Sequence, residues 1–382
     1  MADQRKTEIL GIDLARFVAA TMVVIWHFAG KPWLDPQGAT ITPLMPPAPP
    51  SIPPGAWFSA IGWIGVQVFF VISGAVIAFS ATRARDRRAF LISRLARLWP
   101  AMLVCACLCT VLSMVFWHVA PGRAAVQLAG SLMFSPMGPW FSGQVWTLPV
   151  EVAFYALVCL VGVGQQARRL EALAWALALM SGAWWLACTL WPGALAGVNQ
   201  HLLAITLLPH GCYFALGIAV ALGGSGGFIA RRLALMALAM ATGWLEILTR
   251  AGVELGQAPY RPALLVPPLV WSGAVLFILV SFIWRDAIHT AFARQSRIIR
   301  LMGMVTYPLY LMHYQVGGPL YALLVHRGWS VWEAFLPAYA LAIVVAGGIA
   351  LLMEAPMQKA LKAALERHLP RWPGREISAR FV

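Results

Sequence analysis

Charged residues are scarce in this chain of 382 residues. Only 11% are Asp, Glu, Lys or Arg, whereas 60% are hydrophobic, and the mean hydropathy is +0.75. A soluble globular domain carries about 25% charged residues, because its surface faces water. The shortage of charge therefore excludes an ordinary water-soluble protein and predicts a chain whose solvent is mostly lipid.

Acidic residues are half as frequent as basic ones, because the chain has 14 Asp and Glu against 28 Lys and Arg. The formal net charge is therefore +14. Most of the basic residues fall in alternate connections between apolar segments, and residues 83–97 form a dense stretch of them. Cytoplasmic loops of membrane proteins hold this excess of Lys and Arg, where it faces anionic lipid headgroups. The positive charge thus indicates the lipid bilayer as a partner, and we expect no binding to nucleic acid.

Apolar runs long enough to cross a membrane recur along the chain. A span needs roughly 20 apolar residues, and such segments are centred near Val18, Phe70, Leu108, Tyr155, Leu179, Leu216, Met240, Leu276, Leu311 and Ile343. An even number of spans puts both ends on one side, and the basic loops make that side the cytoplasm. The sequence predicts an all-α polytopic membrane protein with about ten transmembrane helices, both termini cytoplasmic, a transmembrane domain over residues 1–356 and a basic cytoplasmic tail over 357–382.

The six cysteines do not have the setting of a disulfide framework or a metal site. All of them fall inside apolar spans, at Cys105, Cys107, Cys109, Cys159, Cys188 and Cys212. Small residues in such spans commonly pack between helices. We therefore expect no metal in this protein.

Ionisable residues within the first span lie on one helical face. Arg16 and His27 are eleven residues apart, which places them about 20° apart around a helix, and Asp13 lies close to the same line. Each of these groups is costly in lipid unless it is paired or hydrated, so each indicates a functional site. The alternatives are a salt bridge between Asp13 and Arg16 that only orients the helix, and a His27 that bonds a backbone carbonyl near the membrane surface.

The fourth span contains a carboxylate near its outer end. Glu151 shares a helical face with Phe154 and Tyr155. Its carboxylate is placed to accept a hydrogen bond from a histidine, to remain protonated in apolar surroundings, or to relay protons. We expect it at about the depth of His27.

The ninth span carries hydroxyls and an imidazole at helical spacing, at Tyr307, Tyr310, His313 and Tyr314. Tyrosine and histidine are also ordinary residues of the membrane interface. Tyr310 and His313 lie deeper in the span, which favours a role in a functional site. Pro308 is expected to open the helical hydrogen bonds locally.

Two arginines stand at the predicted cytoplasmic end of the third span. Arg94 and Arg97 are three residues apart and share a helical face. The planar guanidinium group binds phosphate oxygens in pairs, so this spacing suits a phosphate site. The excess of basic residues in cytoplasmic loops is the alternative explanation of the pair.

The order and spacing of these motifs resemble the membrane acyltransferase-3 family over nearly the whole chain. That family's Arg and His separated by ten residues correspond to Arg16 and His27. Its other motifs correspond to Phe69-Phe70 with Ser73 and Gly74, Arg94 with Arg97 and Pro100, Trp146 with Leu148, Glu151, Phe154 and Tyr155, Tyr307 with Leu309, Tyr310, Leu311 and His313, and Glu354 with Pro356. This chain departs from the pattern at Gln67, where an acid is frequent, and at Ser93, where a further Arg is frequent. We also expect no fused esterase-like domain.

The resemblance implies an O-acyltransferase of the bacterial inner membrane that uses acyl-CoA, commonly acetyl-CoA, as co-substrate. We expect Arg94 and Arg97 to hold the coenzyme A phosphates. The pantetheine arm would then pass Arg16 and Ser73.

His27, oriented by a carboxylate such as Glu151, is the expected general base, with a covalent acyl-histidine as the variant mechanism. Tyr310 or His313 is expected to donate a hydrogen bond to the oxyanion.

The acceptor is expected to be a hydroxyl of a carbohydrate on the periplasmic face, such as an O-antigen, another exported polysaccharide or peptidoglycan. A small secondary metabolite such as a macrolide is the alternative acceptor. From another class, a proton-coupled transporter or flippase would use Asp13, His27 and Glu151 as a proton relay.

Overall fold

The computed structural model describes residues 9–369 except 36, 38, 48–55, 165, 192, 194–196 and 255–262. The described residues form helices and no strand. The first seven α-helices are α1 (Leu10–Ala29), α2 (Lys31–Leu34), α3 (Ile64–Arg83), α4 (Arg87–Phe116), α5 (Pro121–Leu132), α6 (Thr147–Val161) and α7 (Ala167–Leu190). The remaining ones are α8 (Gln200–Ile205), α9 (Gly211–Gly226), α10 (Ala230–Glu254), α11 (Val266–Ile283), α12 (Arg285–Ala291), α13 (Ser296–His326), α14 (Val331–Ile349) and α15 (Ala355–His368).

Every predicted span centre lies in a helix, and the chain is an all-α polytopic membrane protein. Eight of the helices within the described ranges are long and apolar enough to cross a membrane. The predicted span around Leu216 is the shorter apolar helix α9, with 16 residues. The span around Leu311 is α13, which is 31 residues long but does not belong to the eight.

Two packed groups of helices share α1. On one side of α1, α3 and α9 form a buried centre with α6, α7, α10 and α11 around it. On the other side, α4, α13 and α14 enclose a second buried group that includes Phe28 and Tyr314. Outward faces of α7 and α11 expose large apolar side chains such as Leu179 and Leu276, where lipid tails would lie. Side chains of α1 therefore reach the interior between the two groups.

The polar helix α13 stays helical across two prolines. Pro308 and Pro319 lie inside α13, and residues 309–318 of this helix are buried in the bundle. Burial against protein lets a helix tolerate proline at membrane depth. The tyrosines and the histidine of the predicted motif are thereby held in the interior.

The connections and the tail contain helices as well. The connection after α4 contains α5, and the first part of the predicted basic tail belongs to α15. The guanidinium group of Arg88 donates hydrogen bonds to the carbonyl oxygens of Glu366 and Leu369, 2.6 and 3.0 Å away. These bonds fix the end of α15 beside the start of α4. Residues 370–382 of the predicted tail lie outside the described residues.

Candidate active site

A pair of histidines joins α1 to α13. His313 is fully buried, and its Nδ1 atom lies 3.1 and 2.9 Å from the carbonyl oxygens of Leu309 and Tyr310. A carbonyl oxygen only accepts hydrogen bonds, so Nδ1 of His313 carries the ring hydrogen. In a neutral imidazole the other nitrogen, Nε2, is then an acceptor. That atom lies 2.7 Å from Nδ1 of His27.

The same logic fixes the tautomer of His27. Because Nε2 of His313 accepts, Nδ1 of His27 donates, and the lone pair of a neutral His27 is left on Nε2. The His27 ring is stacked on Tyr314, with the ring centres 4.5 Å apart. The interplanar angle between the two imidazoles is only 10°. His27 is therefore held by hydrogen bonding and by stacking in a form able to accept a proton.

Glu151 has partners other than the expected histidine. Its Oε1 atom accepts a hydrogen bond of 2.5 Å from the hydroxyl of Ser73 and another from the hydroxyl of Tyr155. The predicted pairing of Glu151 with His27 is wrong, because His313 occupies that position. The sequence placed Glu151 at about the depth of His27, but its carboxylate bonds Ser73 of α3 and lines a cavity that does not include His27.

The first cavity lies beside Glu151 and has a volume of about 420 Å³. Its charged lining consists of four arginines, Arg16, Arg94, Arg97 and Arg300, and three acids, Asp13, Glu151 and Glu354. Ser73, Tyr155, Tyr307 and Tyr310 contribute hydroxyl groups. The structure thus brings together all four residues predicted to bind the co-substrate.

The arginines of the first cavity differ in how they are held. Arg16 forms an ion pair of 3.7 Å with Asp13, as the salt-bridge alternative predicted, and it also lines the cavity. Arg94 donates to the hydroxyl of Ser93 at 3.1 Å, while its buried Nε has no hydrogen-bond partner among the described residues. Arg97 is exposed and forms no hydrogen bond or ion pair within the described part of the chain. Arg94 and Arg97 therefore retain donors for a ligand.

The second cavity has a volume of about 560 Å³ and is lined by His27. Its other lining residues include Lys31, Trp140, Gln144, Trp146, Trp185, His201, His210, Glu246, Arg250, Tyr310 and Tyr314. Asp13 of the first cavity and His27 of the second lie near opposite ends of α1, about 21 Å apart along the helix axis. The two cavities thus lie beside opposite ends of α1.

The expected oxyanion donors are already engaged. His313 gives its only ring hydrogen to backbone carbonyls, so a neutral His313 has none left for an oxyanion. The hydroxyl of Tyr310 lies 3.1 Å from the carbonyl oxygen of Gln144 and 3.1 Å from the hydroxyl of Thr147. The arrangement makes His313 a group that orients His27 and makes Tyr310 a fixed wall between the cavities.

Glu246 of α10 is a buried acid that the sequence analysis missed. Its carboxylate accepts hydrogen bonds from the hydroxyl of Tyr213, from Gln67 at 3.4 Å and from Arg250 at 3.5 Å. The acid thus stands beside Gln67, the position at which the sequence departs from the family pattern. A lone Glu four residues before an Arg, inside an apolar segment, was the available signal.

Among the described residues, no group of three or more His, Cys, Asp or Glu side chains is placed to hold a metal ion.

A bundle of apolar helices with cavities lined by titratable side chains defines a polytopic membrane protein with a candidate internal site. The chain matches the acyltransferase domain family over residues 9–353, which is nearly its whole length. The protein therefore belongs to the membrane acyltransferase-3 family. Neither a curated protein nor a solved structure matches the chain.

Proposed function

We propose that the protein transfers an acyl group, with acetyl as the expected group, from cytoplasmic acyl-CoA to a carbohydrate hydroxyl at the periplasmic face. The family supports acyl transfer in the membrane. The observation that carries the mechanism is the bond between His313 and His27, because it leaves Nε2 of His27 as a proton acceptor in the second cavity.

The first cavity is the proposed site of the donor. Arg94 and Arg97 provide planar donors for phosphate oxygens. Arg94 and Arg97 lie in the first turns of α4, within the dense basic stretch at residues 83–97, which favours the cytoplasmic side, where acyl-CoA is made. The pantetheine arm would extend from the arginines past Ser73 toward Tyr310.

The second cavity is the proposed site of the acceptor. Trp140 and Trp185 donate their indole N–H groups to the carbonyl oxygens of Ser135 and Pro209, each at 2.9 Å, which fixes both rings. An aromatic face beside polar side chains suits a sugar, which presents C–H groups on its ring faces and hydroxyls at its edge. A carbohydrate is therefore the proposed acceptor class.

In the proposed reaction, the acceptor oxygen attacks the thioester carbonyl carbon while its proton moves to Nε2 of His27. A C–O bond forms, the C–S bond breaks, and the same proton then passes to the leaving sulfur. The products are the ester and free coenzyme A. In the covalent variant, Nε2 attacks the thioester carbonyl, the C–S bond breaks and the coenzyme A thiolate leaves. The acceptor oxygen then attacks the acyl-histidine, the C–N bond breaks, and the acceptor's proton ends on the thiolate sulfur.

The direct test measures transfer from labelled acetyl-CoA to acceptor by purified protein in lipid nanodiscs. General-base catalysis contributes about 10²- to 10⁴-fold, so we expect His27→Ala to lose that much in kcat while binding of coenzyme A is retained. His326→Ala is the control, because His326 bonds the carbonyl oxygen of Leu44 and lines neither cavity. Transfer by His27→Ala at the wild-type rate would refute the mechanism.

The acceptor is identified in cells. We expect the surface glycan of cells that lack the gene to lose one ester per repeating unit, detected by mass spectrometry. Restoration by the wild-type gene but not by His27→Ala would assign the loss to this reaction. If cells that lack the gene keep their glycan unchanged but contain a small metabolite without its ester, the acceptor is that metabolite and not a carbohydrate.

A further inference from the structure

The two cavities adjoin each other. Val66 of α3 and Tyr310 of α13 are the residues that line both of them. Arg16, Ser73 and Glu151 line the first cavity alone, and His27 lines the second alone. The boundary between the two cavities therefore lies at Val66 and Tyr310, and a group that reaches from the arginines to His27 would cross this boundary, here called the passage.

The Tyr310 side of this passage is rigid. The hydroxyl of Tyr310 is held by the carbonyl oxygen of Gln144 and by Thr147, and its ring meets Phe69 edge-on with the ring centres 5.6 Å apart. Rotating the ring would break buried hydrogen bonds, which costs about 1–3 kcal/mol for each group left unsatisfied. The width of the passage therefore depends on the side chain opposite Tyr310, which is Val66.

The Val66 side is fixed by backbone packing. The preceding residue, Gly65, is so close to α1 that a Cβ atom there would lie 2.8 Å from Cγ2 of Val23 and closer still to the carbonyl oxygen of Ala19. Such contact leaves α3 no room to move toward α1. The half-buried side chain of Val66 is consequently the adjustable part of the passage.

We propose that Val66 limits the size of the acyl group that the protein transfers. The inference rests on the proposed function, because the thioester carbonyl must reach the hydroxyl activated by His27. The thioester tip has to pass Val66, and the alkyl part of the acyl group passes with it. A short acyl group clears the passage, whereas a longer or branched one meets the valine methyl groups.

The test uses acetyl-, propionyl-, butyryl- and hexanoyl-CoA with wild-type protein and substitutions of Val66. One methylene group in an apolar pocket changes kcat/KM by about 10- to 200-fold. We expect Val66→Ala to raise kcat/KM for butyryl-CoA relative to acetyl-CoA by about tenfold or more. Val66→Ile should lower the same ratio, and Val66→Thr, which conserves the volume, should leave it unchanged.

Val76→Ala is the matched control. Val76 is on the same helix, has the same intermediate burial and lines only the first cavity. We expect Val76→Ala to leave the ratio of acyl groups as it is in the wild type.

The outcomes separate the two claims. Equal ratios in Val66→Ala, Val66→Ile and the wild type, with acetyl transfer intact, would overturn the role of Val66 and leave the proposed function standing. Absence of transfer from every acyl-CoA by the wild-type protein would overturn both. Thr and Ile at position 66 keep a β-branched side chain, so the ratio is measurable even where the smaller Ala weakens the fold.

Discussion

Gly217 of α9 lies against the backbone of Val71 in α3. A methyl group at Gly217 would come within 2.6 Å of the amide nitrogen of Ala75 and closer still to the carbonyl oxygen of Val71. Rigid backbone atoms on the other helix cannot turn aside as a flexible side chain would. The helix that carries Ser73 therefore depends on the absence of a side chain at position 217.

We expect Gly217→Ala to destabilise the bundle. Overpacking a tight interior costs about 1–3 kcal/mol, and contact with backbone atoms belongs at the upper end of that range. Thermal unfolding in detergent should show a lower midpoint. Gly273→Ala in α11 is the control, because a Cβ atom at Gly273 meets nothing within 4 Å. Equal midpoints for the two variants would contradict the close packing of α3 on α9.

Replacing His313, whose Nε2 accepts the hydrogen bond from His27, is expected to lower turnover without weakening the binding of acyl-CoA. In His313→Ala, Nδ1 of His27 loses its acceptor, and the ring is free to adopt the other tautomer. We expect kcat to fall while KM for acyl-CoA stays near the wild-type value, because the residues of the first cavity are untouched. His313→Gln should recover part of kcat, since its amide oxygen accepts a hydrogen bond.

His326→Ala provides the comparison for that experiment. His326 is exposed on the same helix and bonds the carbonyl oxygen of Leu44, away from both cavities. Its loss should leave kcat unchanged. A parallel fall of kcat and thermal stability in His313→Ala, without recovery in His313→Gln, would make the role of His313 purely structural.

Arg97 should contribute to binding of the coenzyme rather than to turnover. A hydrogen bond to a charged group is worth about 1.5–3 kcal/mol, so Arg97→Ala should weaken binding of free coenzyme A by about 10- to 100-fold. Arg97→Lys keeps the charge but loses paired donation, and we expect intermediate affinity. Isothermal titration at two salt concentrations measures both effects.

Arg85→Ala controls for the general loss of positive charge, because Arg85 is 83% exposed and lines neither cavity. Comparison with dephospho-coenzyme A identifies the phosphate. Unaltered affinity in Arg97→Ala would remove the arginine from the donor site.

Asp86 predicts an acid-sensitive contribution to stability at the start of α4. Its Oδ1 accepts a hydrogen bond of 2.7 Å from the backbone N–H of Ala89, and this bond is the main reason that the pKa of Asp86 lies below its ordinary value of 3.8. A lowered pKa means that the carboxylate stabilises the folded state above pH 3.8, and that this stabilisation is lost as the pH falls through the folded-state pKa.

We expect Asp86→Ala to cost about 1 kcal/mol near neutral pH, as for other N-cap residues. The difference from wild type should shrink as the pH is lowered below 3.8. Unfolding midpoints of both proteins at neutral and acidic pH measure this change. A difference that does not vary with pH would exclude the carboxylate as its cause.

The helices were largely predictable from the sequence, whereas their pairing was not. Apolar length is a local property, so hydropathy located the segments around Val18 and Phe70 and the other span centres. The partner of Glu151 depends on how α6 is rotated and on which helices adjoin it. The periodicity of one helix specifies neither its rotation nor its neighbours. The predicted bond between Glu151 and His27 was wrong for that reason.

The sequence predicted which residues line the first cavity better than it predicted which residues contact one another. The motifs singled out Arg16, Ser73, Arg94 and Arg97, and these four line one cavity. Glu246 was missed because α10 reads as an apolar helix, and a single acid gives no sign of the Tyr213 and Gln67 that surround it. Contacts between distant segments arise from tertiary packing, which the local pattern does not specify.

The composition of α13 has a consequence for how the chain enters the bilayer. This helix carries His313 and the motif tyrosines, and it is not among the helices that are apolar enough to cross a membrane by composition. Polar residues at the centre of a segment disfavour its partition from the translocon into lipid. We therefore expect α13 to be integrated together with its neighbours α1 and α14, so that the polar side chains of its motif make membrane insertion of this helix a cooperative event.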